Sequence, residues 1–198
     1  MTHLRYAHLP EEALAPIFLD IIRETPFIMN ALITAREMDL PDWWIVSGAL
    51  YNTVWNHLTD RPLTYGIKDI DLFYFDLDTS YAAEDRQIKR AEALFAPAPP
   101  VELRNQARVH IWYEKHFGFP IRPYRDSCDG IDHFACRTHS VGVRLDDDLT
   151  LYAPYGLSDI FNFRITPNTN RPNRETHERK GARALECWPE LIVEPWPE

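Results

Sequence analysis

No stretch of the 198-residue chain approaches the roughly 20 consecutive apolar residues that a spanning helix needs, which argues against a helical membrane protein. No amino-terminal signal pattern is visible either. Basic residues are in short supply, 21 Lys and Arg against 30 Asp and Glu, for a formal net charge of -9. Such a surface does not hold duplex DNA or an anionic membrane by general attraction, so any nucleotide has to be bound in a local pocket. Cysteine is limited to Cys128, Cys136 and Cys187, an odd count in a chain too large to need disulfide staples, which fits a reducing cytoplasm. Internal repeats and low-complexity linkers are lacking. With 45% hydrophobic and 26% charged residues, the chain is expected to form one domain over 1–198, its core spanning about 15–167.

The order of segments alternates between helical and strand-like patterns. Residues 11–38 carry apolar positions at helical spacing and are interrupted at Pro26, which predicts two helices. "WWIV" then reads as a short strand, Ser47-Gly48-Ala49 as a tight turn, and "ALYNTVWNHL" as a helix aligned on Leu50, Val54 and Leu58. "TDRPLTYG" is a loop, "IKDIDLFYFD" a second strand, and "YAAEDRQIKRAEALFA" a helix ended by "PAPP". "VELRNQARVHIWYE" reads as strand, "FGFPIRPYRDSCDG" as a long loop, and "HSVGVRLDDDLTLYAP" as a hairpin turning at the three aspartates. "GLSDIFNFRITPN" suggests a short helix running into a strand. The tail 168–198 is expected to carry a basic helical piece around "RETHERKGARALE" and to pack loosely.

Four aspartates interrupt the apolar run "IKDIDLFYFDLDTS". Strand alternation sends Asp69 and Asp71 to one face, their Cα atoms roughly 7 Å apart, while Ile70 and Leu72 point to the core. Two ionised carboxylates at one spot are costly unless a cation neutralises them, and Mg²⁺ favours such oxygen ligands while keeping waters and phosphates in its other positions. The plainer alternative is a pair of solvated strand-end acids. Upstream, the turn that delivers a strand into a helix at Gly48 offers free backbone N–H groups and a positive helix end, both suited to phosphate. Ser47 can add a hydroxyl there. A phosphate-binding turn followed by a neighbouring strand with two acids makes a minimal site for a nucleoside triphosphate.

Gly48-Ala49, a helix, then Asp69-Ile70-Asp71 resembles the signature of the polymerase-β-like nucleotidyltransferase superfamily. "SGALYNTVW", "DIDLFYFD", "RNQARVH", "VGVRL" and "APYGLSDIFNF" together resemble a bacterial nucleotidyltransferase-like family over roughly residues 15–167. The resemblance implies an α/β fold with a mixed central sheet flanked by helices. It implies Mg²⁺ (or Mn²⁺) held by Asp69, Asp71 and a third acid at the position of Glu102, which is also the candidate base. It implies a triphosphate tail on Ser47, Gly48 and Ala49, and transfer of a nucleotidyl group from an NTP, with ATP the expected donor, to an acceptor. The superfamily's glycine-serine pair is Gly48-Ala49 here, with serine at 47. Arg104 and Arg108 suit phosphate, and Asn105 either holds a base or sugar edge or satisfies backbone groups in a turn. His110 is expected to be structural, in a strand.

Other readings compete with this one. The same fold could serve as a nucleotide- or partner-binding module without turnover. "FYFDLDTS" resembles the nucleophile strand of haloacid-dehalogenase-like phosphatases at Asp76 and Asp78, but Ser80 stands where Thr or Val belongs. Cys128, His133, Cys136 and His139 suggest zinc, yet their intervals are too short and irregular for paired knuckles. Tyr51, Tyr124 and Tyr155 are candidates to stack a base. The net negative charge disfavours a long nucleic acid as acceptor.

Overall fold

The computed structural model describes residues 2–95 and 99–198, so the helix stop expected at 97–100 lies partly outside the described residues. Helix α1 (Glu11–Arg23) buries Leu14, Phe18, Ile21 and Ile22, the i, i+4, i+7, i+8 stripe of an amphipathic helix. Helix α2 (Pro26–Glu37) starts on the proline that interrupts the pattern, because the first helical turn leaves its N–H groups unpaired and a proline there sacrifices no bond. Strand β1 (Trp44–Val46) leads through Ser47 into α3 (Gly48–Leu58). Strand β2 (Ile70–Tyr74) precedes α4 (Tyr81–Leu94), which Ser80 caps by accepting from the Ala83 N–H at 3.2 Å. Then come β3 (Val101–Asn105), α5 (Val109–Phe117), α6 (Ser127–Ile131), β4 (Gly142–Leu145) and β5 (Leu149–Tyr152). The chain ends with α7 (Ser158–Phe161), β6 (Arg164–Ile165), α8 (Arg174–Cys187) and β7 (Ile192–Val193).

Five strands form one mixed sheet in the order β3-β2-β1-β4-β5, antiparallel except for the parallel pair β2 and β3. Ile45, Leu72, Leu103 and Val143 face the main core with α1, α2 and α3. The opposite face carries Trp44, Val46 and Phe73, covered by Ile131 of α6, and it also carries Asp71, Glu102 and Arg104. The acids therefore stand on the thinly covered face of a sheet whose other face is fully packed.

Two expectations need correction. "VELRNQARVHIWYE" is strand only to Asn105, whose side chain accepts from the Ala107 N–H at 3.0 Å and turns the chain through a 3₁₀ turn at 106–108 into α5. His110 is accordingly helical. The tail does not pack loosely. Helix α8 buries His177 and Gly181, β7 pairs in parallel with β6, and Trp188 is 2% exposed, its indole N–H donating to Asn56 at 3.0 Å. Gly181 lets the helix lie against Val193, whose methyl would stand 2.6 Å from an added Cβ.

Candidate active site

The turn between β1 and α3 is strained at its serine. Ser47 has φ 59 and ψ -122, a conformation glycine adopts freely and other residues rarely do. Gly48 itself is not left-handed, and a Cβ there would meet only ordinary contacts at 3.7 and 3.9 Å. Ser47 is buried, and its N–H donates to the Val141 carbonyl at 2.9 Å. No side chain caps α3, so its first amides are uncapped beside a pocket lined by Ser47 and Gly48. Ala49 instead turns into the core.

Register brings the acids to this turn. Val46 pairs with Asp71 across β1 and β2, and Asp71 pairs with Glu102 across β2 and β3. Neighbouring strands lie about 4.8 Å apart, so Asp71 stands one residue from the turn on one side and beside Glu102 on the other. Burial pushes the Asp71 carboxyl up to about 7, with the Asp69 carboxylate adding to the rise and Lys180 opposing it. Glu102 is exposed and forms an ion pair with Arg104 at 3.5 Å. Among the described residues no three His, Cys, Asp or Glu side chains converge as a metal cage. Asp69 and Asp71 remain a two-carboxylate pair of hard oxygens, the kind of protein contribution Mg²⁺ takes when substrate phosphates and water complete its shell.

The remaining wall of this ≈ 90 Å³ pocket comes from residues the sequence reading did not single out. Lys180 and Arg183 project from α8, and Asn52 from α3, its side-chain oxygen without a hydrogen-bond partner among the described residues. Lys180 and Arg183 are three apart, which puts them on one helix face and was the signal available in "RETHERKGARALE". Gly66 also lines the pocket, at φ 70 against the Trp188 ring, where no Cβ would fit.

Asn105 and Arg108 are not brought to the site. Asn105 is 1% exposed; its oxygen accepts from the Asp76 and Ala107 N–H groups and its amide donates to the Asp76 carbonyl at 2.9 Å, the turn-satisfying alternative. Arg108 pairs with Glu84 of α4 at 2.5 Å. Asp76 and Asp78 accept successive backbone N–H bonds, from Asp78 and Ser80, that carry β2 into α4. Of the four residues considered for zinc, Cys136 contacts His177 at 3.2 Å, His139 stacks on Tyr51, and His133 approaches Asp129. Tyr51 reaches the pocket, whereas Tyr155 is tied to Asp132.

An uncapped strand-to-helix turn and paired carboxylates thus share one pocket at a mixed α/β sheet. Residues 33–193 match the family described as nucleotidyltransferase, and the chain belongs to that family. Its fold is similar to an NMR structure described as revealing a CCA-adding enzyme head domain, at 32% identity and a TM-score of 0.71, covering 90% of this chain and 95% of that one. No curated protein sequence matches it. Among the described residues no helix is long and apolar enough to cross a membrane.

Proposed function

We propose that the protein transfers a nucleotidyl group from an NTP, with ATP the expected donor, to a hydroxyl acceptor, and that it does so with Mg²⁺ or Mn²⁺ in a reducing cytoplasm. The observation that carries this reading is the register Val46–Asp71–Glu102, which lines up the turn, the acid pair and the third acid on one sheet face. The α3 amides, with Lys180 and Arg183, hold the triphosphate tail. Asp69 and Asp71 would hold the divalent ion, and Glu102, once released from Arg104, would join them and accept the acceptor's proton. The ion, when bound, neutralises the carboxylates and stabilises the attacking and leaving oxygens. Asn52 offers its unpartnered oxygen to a hydroxyl or amine of the nucleotide. The three cysteines are free, as a reducing compartment would leave them.

One observation favours the alternative of a binding module: Glu102 is exposed and tied to Arg104. Incubation of wild type and Asp71→Asn with α-labelled NTPs, Mg²⁺ or Mn²⁺ and a cell extract separates the two. Label transfer by wild type alone supports the enzyme. NTP binding without transfer under any metal leaves only the module.

A further inference from the structure

Beyond Arg104, on the acid-bearing face of the sheet, lies a second cavity of ≈ 210 Å³. Phe73, Trp112, Tyr113, Phe117, Tyr124 and Phe134 give it an aromatic wall. It adjoins the acid pair: Lys180 lines both cavities, Arg104 lines this one, and Phe73 follows Asp71 by two residues, about 7 Å along one strand face. Its wall is fixed in place. Arg171 donates to the Tyr124 hydroxyl at 2.6 Å while its guanidinium lies 5.3 and 5.0 Å from the Tyr113 and Tyr124 rings. Tyr113 donates to Asn173 at 3.4 Å, and Gly130 leaves room for Gln106, whose oxygen would be 2.7 Å from an added Cβ.

Position across the sheet decides what this cavity can receive. The strand order places the turn after β1, Asp71 on β2 with Asp69 just before that strand, and Glu102 with Arg104 on β3. With the triphosphate tail on the turn and its α-phosphorus at the acid pair, pyrophosphate departs toward β1. In-line displacement then requires the attacking oxygen to come from the β3 side, where the aromatic cavity opens. We propose that this cavity is the acceptor subsite, and that the acceptor is a small molecule of one or two planar rings bearing a free hydroxyl. The inference rests on the nucleotidyl-transfer reading of the neighbouring site. The acceptor oxygen bonds to the α-phosphorus, the bond from that phosphorus to the bridging oxygen of the β-phosphate breaks, pyrophosphate leaves, and the hydroxyl proton passes to Glu102. Aromatic walls favour a ring by offset or edge contact, and the net charge of -9 disfavours a polyanionic chain.

The test titrates tyrosine amide, 4-hydroxybenzyl alcohol and a CpC dinucleotide into the full chain with Mg²⁺ and a non-hydrolysable ATP analogue. Wild type is compared with Thr176→Phe, which fills the cavity from a half-buried position on α8, and with Thr176→Ala as the folding control. At least one of the two phenols should bind wild type and accept label from α-labelled ATP. In Thr176→Phe its affinity should fall at least tenfold while affinity for the analogue stays within twofold. The proposal is overturned if neither phenol binds, if a phenol binds all variants equally, if analogue affinity falls tenfold in Thr176→Phe, or if CpC alone is bound and labelled. Phenol binding in a wild type that binds no nucleotide would remove the acceptor role together with the reading it rests on, a result distinct from all of these.

Discussion

At Asp71, burial and the Asp69 carboxylate both oppose ionisation, and the carboxyl rises from 3.8 to about 7. An acid whose value is raised in the folded state costs nothing below its ordinary value and destabilises progressively as pH climbs from about 4 through about 7. Asp71→Asn should therefore raise the metal-free melting temperature by several degrees at pH 8 and leave it nearly unchanged at pH 4, taking about 2–4 °C per kcal/mol for this chain length. An equal shift at both pH values would contradict the assigned cause. Ser47 stores strain of another kind. Ser47→Gly relieves the positive-φ backbone, and urea melts should show a gain of about 1 kcal/mol. A loss of stability would contradict the strain assigned to Ser47.

Much of this residue-level geometry was legible. The period of two already separates Glu102 and Arg104 from Leu103 and Asn105, so alternation alone sends the Asn105 side chain away from the acids. The "RNQARVH" stretch looked like one functional segment because the turn that Asn105 starts, and the ion pair of Arg108 with Glu84, depend on a helix twenty-odd residues upstream.

Among the elements, α8 is the one whose role was hidden. Its amphipathic pattern is visible in sequence, but its docking depends on Trp188 meeting Asn56 and on β7 pairing with β6, contacts remote in the chain that no local pattern encodes. That docking sets Lys180 and Arg183 over the acid pair. Trp188→Ala should cost about 3–5 kcal/mol by denaturant melts, as a large buried aromatic does. Lys180→Ala with Arg183→Ala should leave the fold intact by circular dichroism, weaken ATP binding by about tenfold or more, and flatten its salt dependence. Unchanged ATP affinity would remove α8 from the triphosphate site.

Over the whole molecule, the main core draws on elements from α1 to the residues after α8, and the tail contributes Trp188 and Leu191 to it. We propose that the chain unfolds as one unit, so far-ultraviolet and tryptophan signals should report one coincident transition; separated midpoints would contradict this. The acid limb of that transition has a named contributor in Asp129. Burial pushes its carboxyl up, but bonds from Arg122 at 2.7 and 2.8 Å and from the Arg125 N–H overcome this and hold it at about 2. Its stabilisation is present above the ordinary carboxylate value near 4 and is lost as pH falls toward 2, so Asp129→Asn should lower stability at pH 7 and lose that penalty near pH 2.

The acids of the "IKDIDLFYFDLDTS" stretch have divided roles, Asp71 on β2 at the proposed nucleotide site and Asp78, beyond the strand's end, in the turn to α4. Metal-dependent transfer of label from α-labelled ATP, measured side by side for Asp71→Asn and Asp78→Asn with ATP binding checked in both, tests it most directly. The account predicts a loss of at least a hundredfold for Asp71→Asn and a rate within about twofold of wild type for Asp78→Asn, on the scale of removing one electrostatic contributor to a transition state. Equal losses in the two variants, or transfer that survives Asp71→Asn, would contradict it.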